Sequence, residues 1–293
     1  MRGWQSNDAG GWFRLEIGAI KRKYIRRAFV YFVCIVAISY FGIVSYVDYR
    51  LADKDFADAY SSCAKVFSAR GLYETAATQN SIESIGRAFA RGAPGAEVDV
   101  RFDTELKQFI VSHDLPYNLK NGKLLTLEAL MGASEKDRVF WLDFKNLRDL
   151  DDKQLADAVR DLTQMTVPLG MKSNVYIEGS DPLNLPAFRD AGFPTMFDTF
   201  PLPESHFLST ISINLYKIAY YFGDYTVMSM NYGSLQDPIY AGRNKERLGN
   251  IPVFIYHIPV NEELIDELVA TPQVRVLLIG NNESVDFHDK LSC

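Results

Sequence analysis

Apolar positions along this chain fall into one unbroken block and then into short runs that alternate with longer amphipathic ones. Residues 28–47 are twenty uncharged, mostly apolar positions, matching the ~20 that a helix needs to cross a bilayer. A core helix of that length carries a polar stripe, and a signal peptide has a shorter apolar region with a small-residue cleavage site. Ser61-Ser62-Cys63 faintly resembles a lipoprotein cleavage box, but Tyr60 and the charged spacer before it spoil the match. The block therefore reads as an uncleaved anchor.

From Lys65 onward, strand-like runs lie at Lys65–Ala69, Ala96–Phe102, Val139–Phe144, Asn174–Glu178, Thr195–Thr199, Thr226–Asn231, Ile251–His257 and Val274–Ile279. Helix-like stretches between them include Ser81–Ala90, Lys153–Thr163, Leu183–Ala191, His206–Tyr221 and Asn261–Ala270. Eight strands in βα alternation predict an α/β fold, a (β/α)8 TIM barrel preceded by one N-terminal transmembrane helix. A doubly wound open sheet would give a similar alternation. The expected organisation is a basic tail over 1–27, the anchor over 28–47, a juxtamembrane connector over 48–64 and the barrel over 65–293. A hairpin-like excursion from Phe102 to His113 and a loose segment, Ser234–Asn250, read as insertions at strand ends, where function gathers in such barrels.

Charge adds an orientation. Lys21-Arg22-Lys23 and Arg26-Arg27 precede the block, whereas Asp48, Asp53, Asp55 and Asp58 follow it. The positive-inside rule then puts the tail in the cytoplasm and the barrel outside it, the simple anchor suggesting a bacterial inner membrane facing a periplasm. The tail carries seven Lys and Arg against two acids, so a chain of net charge −6 leaves about −11 on the remainder. An acidic domain of this kind argues against nucleic-acid binding. Of three cysteines, Cys34 lies in the apolar block, while Cys63 and Cys293 bracket the soluble part; a bridge between them and two free thiols are both open.

The candidate chemistry is concentrated early. Glu97 and Asp99, two apart in a strand-like run, point to one face. His113-Asp114 ends the next run, Gln108–Val111, and Asp143 ends the following strand. Three carboxylate oxygens converging at strand ends suit a hard divalent cation, Mg²⁺ or Ca²⁺, better than zinc, with an imidazole beside them for proton transfer. Taken singly, each carboxylate could equally be an exposed strand-end residue or half of an ion pair, as Asp143 with Lys145. Leu215–Tyr225, rich in Tyr and Phe, fits either a lipid-facing rim or a helical core face.

In order and spacing, Ala69-Arg70-Gly71, Asn80-Ser81, Gly92-Ala93 with Glu97-Val98-Asp99, His113-Asp114 and Asp143-Phe144-Lys145 resemble the glycerophosphodiester phosphodiesterase family. The wider superfamily includes phosphatidylinositol-specific phospholipases C and sphingomyelinase D. The similarity covers roughly residues 62–285 and is strongest over 65–146. It implies a TIM barrel with a divalent cation at its carboxyl-end face. Glu97, Asp99 and Asp143 would hold the metal, the last an Asp as in sphingomyelinase D rather than the Glu usual in the phosphodiesterases. Arg70 and Lys145 would contact phosphate, and His113 would be one of two catalytic histidines.

This chain departs from the pattern at the first histidine of His-Arg-Gly, which is Ala69 here. It also has Gln79 where an acid usually precedes Asn80, and Gly280-Asn281-Asn282 in place of a late Thr-Asp turn. Among the four histidines, His257 ends the seventh strand, either as a second catalytic candidate or as a packed, hydrogen-bonded residue; His206 and His288 read as surface residues. Glu178 ends the fourth strand, as a further ligand or base or as part of an ion pair.

The expected function is a membrane-anchored phosphodiester hydrolase, performing metal-assisted cleavage of a glycerol- or lipid-derived phosphodiester outside the cytoplasm. Its partners would be a phosphodiester or lipid head-group substrate and, through residues 28–47, the membrane. The alternatives are a catalytically silent family member that binds a phosphorylated ligand or partner, and an intramolecular phosphoryl transfer that uses His113 and the metal alone.

Overall fold

The computed structural model describes residues 9–203, 205–280 and Phe287, with backbone alone for 9–23. His288, Cys293 and the Asn281-Asn282 turn lie outside the described residues. The chain forms two compact units, divided between Arg50 and Leu51. The first is built from α1 (Ala9–Ala52), which runs five residues past the predicted anchor end at Val47. Its stretch Tyr24–Ala52 is long and apolar enough to cross a membrane; at 1.5 Å per residue it measures about 43 Å, against a hydrocarbon core of about 30 Å.

The second unit is a closed parallel barrel. Its elements are β1 (Val66–Ala69), α2 (Ile82–Ala90), β2 (Gly95–Asp103), β3 (Gln108–Val111), α3 (Leu127–Gly132), β4 (Val139–Phe144), α4 (Asp152–Leu169) and β5 (Val175–Gly179). They continue with α5 (Leu185–Asp190), β6 (Thr195–Asp198), α6 (His206–Gly223), β7 (Val227–Asn231), α7 (Gly242–Leu248), β8 (Val253–Tyr256), α8 (Glu262–Ala270) and β9 (Val274–Ile279). Eight strands pair in parallel around the ring, and β1 closes it by pairing with both β2 and β9, Ala69 standing opposite Glu97 and Val66 opposite Leu277. β3 is outside the ring. It lies antiparallel on β2 as the expected hairpin, with Asp103 opposite Gln108.

All eight predicted ring strands are present, within a residue or two at each end. Two helices were not foreseen. α3 is a six-residue helix capped by Thr126. α7 occupies seven residues of the predicted loose segment Ser234–Asn250, so that part of it is the helix of the seventh βα unit rather than an insertion. α4 runs six residues beyond the predicted Thr163, carrying Pro168 in its last turn and ending at Gly170 in the left-handed region. A proline there loses a backbone donor, which hides the helix end from a reading by pattern.

The barrel interior is layered. Phe67, Trp141, Tyr176, Met196, Val227 and Phe254 form the buried lower core, with Trp141 and Phe254 ring centroids 5.4 Å apart and Tyr176 and Phe254 5.1 Å apart. Strand side chains alternate, so the inward position two residues later comes at the carboxyl end. Those positions hold Asp143, Glu178, Asp198 and Tyr256, while on β1 the same position holds Ala69. Apolar packing below and polar chemistry above follow from one period of two.

Candidate active site

A cleft of about 550 Å³ opens at the carboxyl ends of the strands, lined by Ala69, Arg70, Glu97, His113, Asp143, Lys145, Glu178, Asp198, Tyr256 and His257 among others. Of the residues expected to bind metal or phosphate or to move protons, all but Asp99 lie on this wall, and Asp99 is fully buried.

Asp99 is the hub. Fully buried, it accepts from Arg70 Nε at 2.8 Å, from Lys145 Nζ at 2.8 Å and from Asn80 Nδ2 at 2.6 Å. Asn80 Oδ1 in turn accepts from the Asp99 backbone N–H at 3.2 Å. Lys145 also pairs with Asp143, as anticipated. Burial alone would lower the Lys145 pKa, but Asp143 and Asp99 outweigh it and the net shift is upward. Asn80 carried no assigned role in the sequence; its place in the Asn-Ser motif was the available signal, and the structure shows it braces Asp99.

The backbone of this corner is unusual. Arg70, Asn80 and His257 all adopt positive φ (59°, 52° and 52°), a region costly for residues with a Cβ and found disproportionately at functional sites. Gly71 follows Arg70 at φ 79°, and a Cβ there would meet the Ser84 carbonyl carbon at 2.4 Å. The Arg70 carbonyl accepts from Asn80 N at 3.0 Å and from Ser84 Oγ at 3.1 Å. Gly71→Ala is therefore expected to lower unfolding free energy by roughly 3 kcal/mol or more, measured by urea denaturation, and to displace Arg70 from Asp99.

Glu97 is buried with no hydrogen-bond partner at Oε2 among the described residues; Arg70 Nε stands 3.9 Å from that oxygen. Burial, then Asp99 and Asp143, hold its pKa well above the carboxylate range. Burial likewise raises Asp143, with Lys145 opposing. One ligand oxygen each from Glu97, Asp99 and Asp143 lies within 4.8 Å of the others. An orphaned buried carboxylate oxygen is costly, and a hard dication would satisfy it. The all-oxygen donor set fits Mg²⁺ or Ca²⁺.

Two further acids deepen the negative field. Glu178 is buried and accepts from Trp141 Nε1 at 2.7 Å; among the described residues no lysine or arginine pairs with it, contrary to the ion-pair reading. Burial, then Asp143 and Asp198, raise its pKa strongly. Asp198, missed in the sequence because nothing marks the end of β6, accepts from Tyr256 Oη at 3.2 Å. Burial, then Asp143, push its pKa up to about 7. A carboxyl that binds its proton more tightly in the folded state stabilises the fold below its unfolded value and loses that contribution as pH rises through the folded one. Without divalent ion, the melting temperature should thus fall between pH 4 and pH 7, with Asp198 contributing about 4 kcal/mol over the interval. Differential scanning calorimetry of Asp198→Asn, which should flatten this slope, checks it.

The histidines differ. His113 follows the outlying hairpin, partly exposed, its Nδ1 2.8 Å from Asp114 Oδ1. His257 receives the Asn231 Nδ2 donor on its Nδ1 at 3.1 Å, which in the neutral ring leaves the proton on Nε2. Burial, then Arg70 and Lys145, lower its pKa. Both reach the cleft. His206 is exposed at the start of α6.

No protein-family model matches the chain, and no curated protein does. Solved structures match the barrel. One is a glycerophosphodiester phosphodiesterase from Parabacteroides distasonis at TM-score 0.52 and 20% identity, over 75% of this chain and 94% of that one. Another is the glycerophosphodiester phosphodiesterase from Thermotoga maritima, at 0.50 and 17%, over 74% and 93%. A third is a phosphodiesterase from Oleispira antarctica in complex with the product sn-glycerol-3-phosphate, at 0.51 and 12%, over 74% and 92%. The chain thus has the fold of solved glycerophosphodiester phosphodiesterases, as the motif order implied.

Proposed function

We propose that the chain is a divergent, membrane-anchored member of the glycerophosphodiester phosphodiesterase family that hydrolyses a glycerol- or lipid-derived phosphodiester outside the cytoplasm. The observation that carries this reading is the orphaned Glu97 oxygen beside Asp99 and Asp143, with Arg70 and Lys145 at the same corner. Glu97, Asp99 and Asp143 would hold the cation, which when bound polarises the phosphoryl group and neutralises developing charge. Arg70 offers a planar fork and Lys145 a point charge to phosphate oxygens. His113, oriented by Asp114, moves a proton at the cleft edge. His257 faces the same space with its Nε2.

Residues 28–47 supply the anchor in this reading, with the tail cytoplasmic and the barrel on the far side of a bacterial inner membrane. Cys63 is disulfide-bonded and Cys34 free; a disulfide in the barrel unit favours an oxidising compartment.

A second reading has its own support. Ala69 lines the cleft where the first family histidine would stand, and Asp99 is already paired with two cations. Both fit a silent barrel that binds a phosphorylated ligand. Hydrolysis of glycerophosphocholine with Mg²⁺ or Ca²⁺, in parent and His113→Ala, separates the two: turnover that vanishes in His113→Ala establishes the enzyme, and none in the parent favours the silent barrel. Glu97→Gln tests the cation. Because Glu97 Oε2 has no hydrogen-bond partner to lose among the described residues and burial raises its pKa, the amide should leave the melting temperature in chelator nearly unchanged. It should abolish the cation-dependent rise, worth about 2.7 kcal/mol at a hundredfold excess over Kd.

A further inference from the structure

α6 carries a buried face and an apolar outer one. Its inner face buries Ser209, Ile213, Lys217 and Tyr220, and Lys217, its one lysine or arginine, donates inward to the Arg247 carbonyl at 2.7 Å. The opposite face bears Phe207, Ile211, Leu215, Ile218 and Phe222, spaced by four, four, three and four residues along one stripe. Phe207 is 70% exposed, Leu215 50% and Phe222 61%. Leu208, 49% exposed, and Phe200, 50% exposed just after β6, widen the stripe toward the cleft end of the barrel. A solvent-facing helix surface without a charge over five turns is the kind of contiguous apolar patch that marks an interaction site.

The path of the chain identifies what covers it. Lys54, two residues beyond the apolar stretch Tyr24–Ala52, bonds Asp224 at 2.9 Å, and Asp224 is the residue that ends α6. At no more than ~3.6 Å per residue, a bilayer that takes up Tyr24–Ala52 holds this end of α6 close to its surface. The domain beyond the anchor is acidic, so charge would not draw it to anionic lipid; apolar burial would.

We propose that the outer face of α6 lies in the interfacial layer of the bilayer to which the chain is anchored, with Phe207, Leu215 and Phe222 among the acyl chains and the helix axis along the membrane plane. The barrel then rests on its side. Its cleft, at the end where α6 begins, opens beside the lipid head groups, which makes a membrane-embedded phosphodiester a substrate delivered in place. This rests on the anchoring reading above.

The full chain in phosphatidylcholine vesicles tests it, by lipid-borne bromine quenching of tryptophans introduced one at a time. Leu215→Trp and Phe222→Trp report the stripe, Phe32→Trp the anchor, and Lys153→Trp, on the exposed side of α4, the aqueous control. The emission added at 215 and 222 should be lost as at 32, and should stay lost in about 1 M salt, where charge contacts are screened, while that at 153 is kept. Quenching at 32 with 215 and 222 behaving like 153 overturns the surface and leaves the anchor standing. No quenching at 32, 215 and 222 removes both. Oxidative cross-linking between two Leu215→Cys chains, without quenching, would name a second copy as the occupant and overturn the lipid contact.

Discussion

Ala69→His should raise phosphodiesterase turnover by about 10²–10⁴-fold, the usual contribution of one positioned proton-transfer group. The position is prepared for it. Ala69 lines the cleft on β1, opposite Glu97 in the ladder and next to Arg70. It holds the inward position that on β4, β5, β6 and β8 carries Asp143, Glu178, Asp198 and Tyr256. The replacement adds a side chain facing open cleft, so no core packing is displaced. An imidazole there would also face Glu97, one of the three carboxylates that would hold the cation. The gain should therefore require Mg²⁺ or Ca²⁺ and disappear in Ala69→His with Glu97→Gln. Turnover in the parent within a fewfold of Ala69→His would mean that His113, with or without His257, already performs both proton transfers. If His257 shares that work, His257→Ala should reduce kcat while leaving KM nearly unchanged; if His113 acts alone, it should leave both unchanged.

Asp99→Ala should be the most damaging single change at the site, for stability as well as activity. Removing one partner of a buried ion pair costs about 3–5 kcal/mol, because the remaining charge stays in low dielectric. Here Arg70 loses its close carboxylate, Lys145 is left with Asp143 alone, and Asn80 loses its acceptor. A shift of the urea midpoint by that amount, with loss of cation binding by calorimetry, is the expected outcome. The contrast with Glu97→Gln is diagnostic. Both residues belong to the same cluster, yet one is saturated by cations within the protein and the other is orphaned. Removing the first destabilises; neutralising the second does not. Equal destabilisation by both would contradict this division of labour.

Much of this was legible in the chain, for reasons that differ by element. The ring strands are buried on both faces, so each appears as a compact β-branched or aromatic run bounded by helix patterns. β4, Val139–Phe144, was readable to the residue. α7 escaped because Leu248 is its one buried residue, which leaves no apolar period to read. At the site, Glu97, Asp99, Arg70, His113, Asp143 and Lys145 were found because they are clustered in sequence. Asp198 and Tyr256 come from strands with no neighbouring motif, and only ring closure brings them to the cleft. The role of Asn80 needed the third dimension too: nineteen residues separate it from Asp99, and the left-handed turn at Arg70-Gly71 aligns the two. The Leu215–Tyr225 segment was ambiguous because one side of the helix is buried, with Tyr220 in the core, while the other leaves Leu215 and Phe222 exposed.

The position of β3 outside the ring has a consequence for how such a chain evolves. Glu97, Asp99, Asp143 and Glu178 belong to ladders in which a slip of one residue would invert every side chain, so the fold and the cation cluster are inherited as one object. His113 arrives instead on a hairpin whose length and twist can change without reopening the barrel, and Ala69 stands at the free end of a strand that is already paired on both sides. The acid–base pieces are modular where the electrostatic pieces are structural. On the proposed roles, the groups that move protons could be lost or restored by single substitutions that leave every ladder of the barrel in register.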